Sequence, residues 1–334
     1  MQAAKPLVLF FNPVKFARPF YEQLQQVART EVVTSRGRAA FFQDLQDKYN
    51  DVFAIYRTSS SGAIAGKFDA DFIKQLPPSC KYICHNGADT HACAERGIIV
   101  TNAPDPVTDA TADLAVFLLL GALRQLNPAM TSLRAGTFKT GVSVGNDPQG
   151  KIFGILGMGR IGRAIKKRCD AFGLKTVYHN RSQLPADQAA SAEYVTFEKL
   201  LSESDIISVN VPLTAKTKHL IGPAELARMK AGVVIVNTAR GAIIDEAALA
   251  DALESGHVGA VGLDVYEKEP EIHEKLLRQE RAIMVPHVGT HTAETLAKME
   301  TWAMENVRRA IVGEELLSPV SEHQGLALKV RGSI

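Results

Sequence analysis

The chain has 334 residues, 46% of them hydrophobic and 22% charged, values ordinary for a folded globular protein large enough for two domains. Lys plus Arg is 38 and Asp plus Glu is 36, so the formal charge of +2 argues against nucleic acid as the main partner. No run approaches the ~18 apolar residues of a membrane helix, the first residues lack the pattern of a secretory leader, and Val330-Arg331-Gly332-Ser333-Ile334 is not a peroxisomal tripeptide, so the expected compartment is the cytoplasm, with no membrane partner.

Residues 6–11 read as a first strand, 19–29 as a helix with Phe20, Leu24 and Val27 on one face, 31–34 as a strand, 39–49 as a helix and 51–56 as a third strand. Ser59, Ser60 and Ser61 follow that strand and are candidates to line a cleft, although a polar turn explains them equally well. A short helix over 68–75 stops at Pro77-Pro78, and strands over 81–84 and 98–101 flank a helix over 90–96. This alternation predicts a parallel α/β unit over about residues 1–103. It carries no dinucleotide fingerprint and is expected to be the substrate side. Residues 102–106, with two prolines, read as a crossover into a strongly apolar helix over 110–123. Residues 125–147 are mixed, a candidate arm for packing on a partner subunit.

The stretch 151–182 carries the strongest signal. An apolar run over 152–156 runs directly into Gly157-Met158-Gly159-Arg160-Ile161-Gly162. Ile161, Ala164, Ile165 and Cys169 then recur at helical spacing, and a second strand covers 175–179. Strand, glycine turn, helix and strand in that order are the context a dinucleotide-binding fingerprint requires. The glycines allow a tight turn, close approach of a pyrophosphate and close helix–strand packing, with the helix N-terminus facing the phosphates. An NAD site usually places a carboxylate about 20 residues on, against the ribose 2′-hydroxyl. Here the second strand ends in His179-Asn180-Arg181-Ser182, without a carboxylate. A guanidinium suits a 2′-phosphate, so NADP(H) is the expected cofactor and NAD(H) the alternative.

Beyond it, strands are expected over 205–211, 232–237, 258–265 and 282–285, and helices over 223–229 and 247–255. Together with the glycine unit this makes six strands, the count of a doubly wound dinucleotide-binding domain. The long helix over 292–311 is expected to cross back, making the first domain discontinuous: 1–103 plus 292–334 for substrate, 104–291 for the dinucleotide. Cys80, Cys84 and Cys93 lie near His85 and His91, but not at metal-ligand spacing. With Cys169 they read as reduced structural thiols, and no metal is assigned.

In a parallel sheet of this kind, ligands sit outside the carboxyl ends of the strands. Three successive strand ends offer Asn237-Thr238-Ala239-Arg240-Gly241, then Tyr266-Glu267-Lys268-Glu269-Pro270, then Pro286-His287-Val288-Gly289. Singly, each charged group is an ordinary loop residue. Together beside a nicotinamide site they form an acid/base set. With Gly262-Leu263-Asp264-Val265-Tyr266 and the glycine fingerprint, these motifs resemble the D-isomer-specific 2-hydroxyacid dehydrogenase family, and 178–182 most resembles its NADP-preferring glyoxylate and hydroxypyruvate reductases.

The resemblance implies two Rossmann-like or flavodoxin-like domains with the active site in the cleft between them, a homodimer, and reduction of small 2-keto acids to D-2-hydroxy acids. It implies that Arg240 binds the substrate carboxylate and keto oxygen, that His287 is the general acid, and that Glu269 hydrogen-bonds His287 and favours its protonated form. It implies a substrate loop at Asn86-Gly87-Ala88. Beyond Gly157 to Gly162 and Asn180 to Ser182, the implied cofactor contacts are Thr111, Pro212 with Thr217, Thr238, Ala239, Arg240, Asp264, His287 and Gly289. Glu267 competes with Glu269, but Pro270 fixes the motif register on Glu269; His291 competes with His287, but only His287 follows directly from a strand and a proline. His219, His257 and His273 read as surface residues. Two rivals stand: a dehydrogenase of a larger 2-hydroxy acid, and a dinucleotide-sensing binding protein like the family's corepressor branch.

Overall fold

Leu7-Val8-Leu9-Phe10 is buried at every position, as a strand must be when helices cover both faces of its sheet. A computed structural model describes residues 4–58, 61–85 and 88–326 of the chain and divides it into two compact units, 1–107 with 292–334, and 108–291.

The first unit contains β1 (Leu7–Phe10), α1 (Arg18–Leu24), β2 (Arg29–Val32), α2 (Arg38–Gln46), β3 (Val52–Tyr56), α3 (Gly62–Ala65), α4 (Ala70–Gln75), β4 (Tyr82–Cys84), α5 (Thr90–Glu95) and β5 (Ile99–Thr101). The strands pair in parallel in the order β2-β1-β3-β4-β5, so the winding reverses between β1 and β3. Alternate residues point to opposite faces. Leu7, Leu9, Ile55 and Ile83 face a core with Phe41, Phe68 and Phe72, while Val8, Phe10, Ala54 and Tyr56 face one with Ala303, Met304 and Val307.

The second unit holds α6 (Thr108–Leu123), α7 (Leu126–Arg134), β6 (Ile152–Leu156), α8 (Arg160–Cys169), β7 (Lys175–His179), α9 (Ala186–Ala189), β8 (Glu193–Tyr194), α10 (Phe197–Glu203), β9 (Ile206–Val209), α11 (Pro223–Arg228), β10 (Val233–Asn237), α12 (Glu246–Glu254), β11 (Val258–Leu263), α13 (Glu274–Leu277) and β12 (Ala282–Met284). Its parallel strands run β12-β11-β10-β9-β6-β7-β8, a doubly wound dinucleotide-binding order extended by one strand, with the switch point between β6 and β9. The chain then returns as α14 (Ala293–Val312), which covers the second face of the first sheet.

The sheet has seven strands where periodicity suggests six. The addition, β8, is two residues long, too short to show a period of its own. α10 carries local signals of its own: Thr196 caps it by accepting the Lys199 N–H, and Leu200 and Leu201 are buried. The first unit extends to 107 rather than 103, and the start of the proline crossover is bonded to the C-terminal segment. Asn102 N–H donates to Ser318 O (3.0 Å), and Ser318 Oγ donates to Asn102 O (2.6 Å). All four cysteines are buried free thiols, pushed by burial up to about 12.

Glu300, on α14, ties the segment before α1 in place. Its carboxylate accepts the N–H groups of Lys15 (3.0 Å), Phe16 (2.8 Å) and Ala17 (2.8 Å). Glu300→Ala should lower unfolding stability by about 2 kcal/mol in urea titration, and Glu300→Gln, which keeps one acceptor oxygen, by less.

Candidate active site

Strands β10, β11 and β12 are adjacent and end in register: Asn237 pairs with Leu263, and Leu263 with Met284. The three charged groups therefore leave neighbouring strand ends on the side where such sheets bind ligands. The first turn is set by Asn237, 1% exposed. Its Oδ1 accepts the Ala239 N–H and its Nδ2 donates to Arg240 O, both at 3.0 Å. Arg240 is exposed at the tip of that turn. Gly241 follows because nothing larger fits. A Cβ there would lie 1.9 Å from the carbonyl carbon of Tyr266 and 2.4 Å from the Glu267 nitrogen, so the loop after β11 runs directly against the Arg240 turn.

That loop presents Glu269. One of its oxygens accepts the Tyr266 N–H (3.0 Å), and the other lies 2.7 Å from His287 Nδ1. A carboxylate only accepts, so Nδ1 carries its proton toward Glu269 and Nε2 is left for other work. Tyr266 also donates its hydroxyl to Val285 O (3.0 Å), tying the strand before His287 to the same loop. His287 has φ of 53°, an uncommon conformation for a residue with a Cβ. Asp264 holds it there: 1% exposed, its two oxygens accept the N–H groups of Val288 (2.6 Å) and Gly289 (2.9 Å). Burial pushes the Asp264 carboxyl up, and the two amide bonds partly offset this.

The structure separates the competing pairs. Glu267 is engaged elsewhere: His219 Nε2 lies 2.9 Å from its Oε1, and the Glu267 N–H donates to Glu246 Oε2 (2.6 Å). His291 makes a backbone bond to Val288 O, while His287 meets Glu269. His219 is exposed, as its reading as a surface residue required, yet it joins the loop after β9 to Glu267. This partnership is between residues far apart in sequence and leaves no local signal.

The glycine turn lies at the switch point. Gly157 has φ of 93°, and a Cβ on it would press to 2.8 Å on the backbone of Asn210 and Val211 after β9. A Cβ on Gly162 would meet Gly157 O at 2.7 Å, whereas one on Gly159 would meet nothing within 4 Å. The turn is closed on the protein side and open at Gly159, above the N-terminus of α8 where Arg160 and Ile161 begin the helix. Asn180 Oδ1 accepts the Met158 N–H (2.7 Å); Arg181 and Ser182 are exposed. Thr217 closes the exposed loop after β9 by donating to Pro212 O (2.6 Å). Thr238 Oγ1 is buried with no hydrogen-bond partner among the described residues. Buried Thr111 approaches Gly289: a Cβ there would stand 3.6 Å from Thr111 Oγ1.

In the first unit, Ala88 lines a cavity of about 660 Å³ with Arg57, Phe68 and Lys67. Asn86 and Gly87 lie outside the described residues, as do Ser59 and Ser60. Ser61 is bonded inward to Asn12 (2.7 Å). No group of three or more His, Cys, Asp or Glu among the described residues is arranged to hold a metal ion.

Residues 116–289 match the family model for the NAD-binding domain of D-isomer-specific 2-hydroxyacid dehydrogenases. A 4-methyl-2-oxopentanoate reductase of Aspergillus oryzae is 43% identical over 96% of this chain and 99% of its own. Among solved structures, a glyoxylate reductase from Paecilomyes thermophila superposes with a TM-score of 0.92 at 46% identity, covering 96% of this chain and 99% of its own. An NADPH-dependent glyoxylate/hydroxypyruvate reductase from Sinorhizobium meliloti, in complex with NADP and malonate, superposes at 0.82 with 30% identity over 96% of this chain and 98% of its own.

The contact at Gly241 yields a direct check. Gly241→Ala should cost more than about 3 kcal/mol of stability, because the new methyl meets backbone that cannot yield. Gly159→Ala, with open space around its Cβ, should leave the thermal midpoint nearly unchanged.

Proposed function

Given that the chain belongs to the D-isomer-specific 2-hydroxyacid dehydrogenase family, an oxidoreductase family, we propose that it is an NADPH-dependent reductase of small 2-keto acids, glyoxylate and hydroxypyruvate foremost. The observation that carries this reading is the His287–Glu269 contact at 2.7 Å beside the Arg240 turn on adjoining strand ends. The residues present fit a nicotinamide dinucleotide. Gly159 leaves its backbone approachable, and the buried Thr238 hydroxyl awaits a partner at the strand end. When bound, the reduced nicotinamide supplies the hydride.

The chain supplies the rest. Arg240 holds the substrate carboxylate and draws the keto oxygen toward its guanidinium, which is planar and always charged and is held at the turn by Nη1 donating to Ala239 O (2.5 Å). His287, its Nδ1 occupied by Glu269, delivers a proton from Nε2 to the keto oxygen, so the carbonyl becomes a hydroxyl as C2 gains the hydride. In oxidation the same nitrogen takes the proton back. Asp264 keeps the His287 loop in place through Val288 and Gly289.

Arg181 and Ser182, exposed after β7 with no carboxylate beside them, favour a 2′-phosphate, and NADP in the Sinorhizobium enzyme supports this. The Aspergillus relative is named for a branched six-carbon keto acid, which favours a larger substrate as the second reading. A homodimer fits the apolar side chains left exposed on and after α6 and α7: Phe117 (48%), Leu133 (60%) and Phe138 (71%).

Two measurements test these readings. Nicotinamide absorbance should fall with glyoxylate and NADPH, more slowly with NADH, and His287→Ala should slow it by ~10²–10⁴. An NADH preference would overturn the 2′-phosphate reading, and activity confined to branched keto acids would shift the substrate class. Light scattering should read twice the chain mass, falling to one copy in Leu133→Asp/Phe138→Asp; a wild-type mass of one copy would overturn the dimer.

A further inference from the structure

The short strand β8 places Tyr194 directly beside Tyr178 of β7, since the two residues pair in the parallel ladder. Their rings pack edge to face with centroids 5.4 Å apart, and the Tyr194 ring also stacks against His179 at 5.9 Å. With neighbours on two sides, the Tyr194 hydroxyl is fixed in space. Both hydroxyls then grip the loop that follows β7. Tyr194 donates to Asn180 O (3.1 Å), and Tyr178 Oη accepts the Leu184 N–H (2.9 Å). A third bond, from Met158 N–H to Asn180 Oδ1, ties the loop's first residue to the glycine turn. Arg181 and Ser182 lie between the two tyrosine grips and are exposed.

We propose that Tyr178 and Tyr194 are positioning residues for cofactor selectivity: by clamping residues 180 and 184 they hold Arg181 and Ser182 where a ribose 2′-phosphate is read. The inference rests on the NADP(H) reading above. An exposed arginine on an unheld loop loses rotamer and backbone freedom when it binds, and that cost weakens affinity. A loop pinned at both ends has met most of it in advance. The hydroxyls touch backbone groups only, so their removal loosens chiefly Arg181 and Ser182, while the Asn180 side chain keeps its own bond to Met158 N–H at the glycine turn.

The test is calorimetric binding of 2′,5′-ADP and of 5′-AMP to the full chain, for wild type, Tyr194→Phe and Tyr178→Phe. Wild type should prefer 2′,5′-ADP. Each Phe variant should weaken 2′,5′-ADP roughly fivefold, the worth of one lost hydrogen bond, with 5′-AMP changed by less than about twofold. In turnover, KM for NADPH should rise with kcat held. A wild type that prefers 2′,5′-ADP, with a ratio unmoved in the Phe variants, overturns the clamp and leaves the cofactor reading standing. Equal weakening of both probes also overturns it, by showing that the tyrosines only support the sheet. A wild type without preference overturns the cofactor reading itself. Tyr178 is fully buried, so if Tyr178→Phe fails to fold, Tyr194→Phe decides.

Discussion

A single buried carboxylate governs the geometry of the candidate site. Asp264 stands at the end of β11 with almost no exposure and spends both oxygens on amide groups of the loop after β12. Those bonds hold His287 at a positive φ that a histidine does not adopt cheaply, and so direct its ring at Glu269. The resemblance assigns Asp264 a place beside the nicotinamide. In the structure its carboxylate is occupied as an anchor, and this is the contact on which the placement of the His287 loop depends. Burial raises the carboxyl's pKa, and the two amide donors lower it again, so anchor and charge are mutually dependent.

The remaining constraints are steric. Three parallel strands ending in register put an arginine, a glutamate and a histidine on neighbouring loops, but adjacency alone leaves loops free to diverge. Gly241 removes that freedom by letting the backbone of Tyr266 and Glu267 come into contact with the Arg240 turn. Glu267 and Glu246 then each donate a backbone N–H to the other's carboxylate, and His219 closes on Glu267 from the loop after β9. The loops after β9, β10 and β11 are thus one bonded assembly. Small errors at any of these contacts would propagate to the reacting atoms, where placement matters most.

Much of this was legible in the sequence because it is local. The glycine turn, the apolar strands and the motif around each strand end are written in consecutive residues with recognisable periods. What escaped was short or non-local. β8 has two residues and no period, yet it supplies Tyr194. Pro270 sets the motif register that favours Glu269 over Glu267, but which histidine each meets, His287 for Glu269 and His219 for Glu267, is fixed by residues far along the chain. Asn237 and Tyr266 were visible as motif letters, but their work, setting a turn and pinning a strand, is defined by partners far along the chain.

The return of α14 to the first unit has a consequence for how the protein is made. The contact from Lys15 to Glu300 spans 285 residues, and the face of the first sheet formed by Val8, Phe10, Ala54 and Tyr56 is covered by Met304 and Val307. During synthesis on the ribosome, that apolar face emerges first and its cover only after the whole second unit. The second unit, contiguous in the chain, has all its own strands before α14 begins, so it can complete its core while the first unit waits half-covered. For most of translation the nascent chain carries an exposed hydrophobic sheet face. The vulnerable period, when a chaperone would matter most, lasts until α14 clears the exit tunnel.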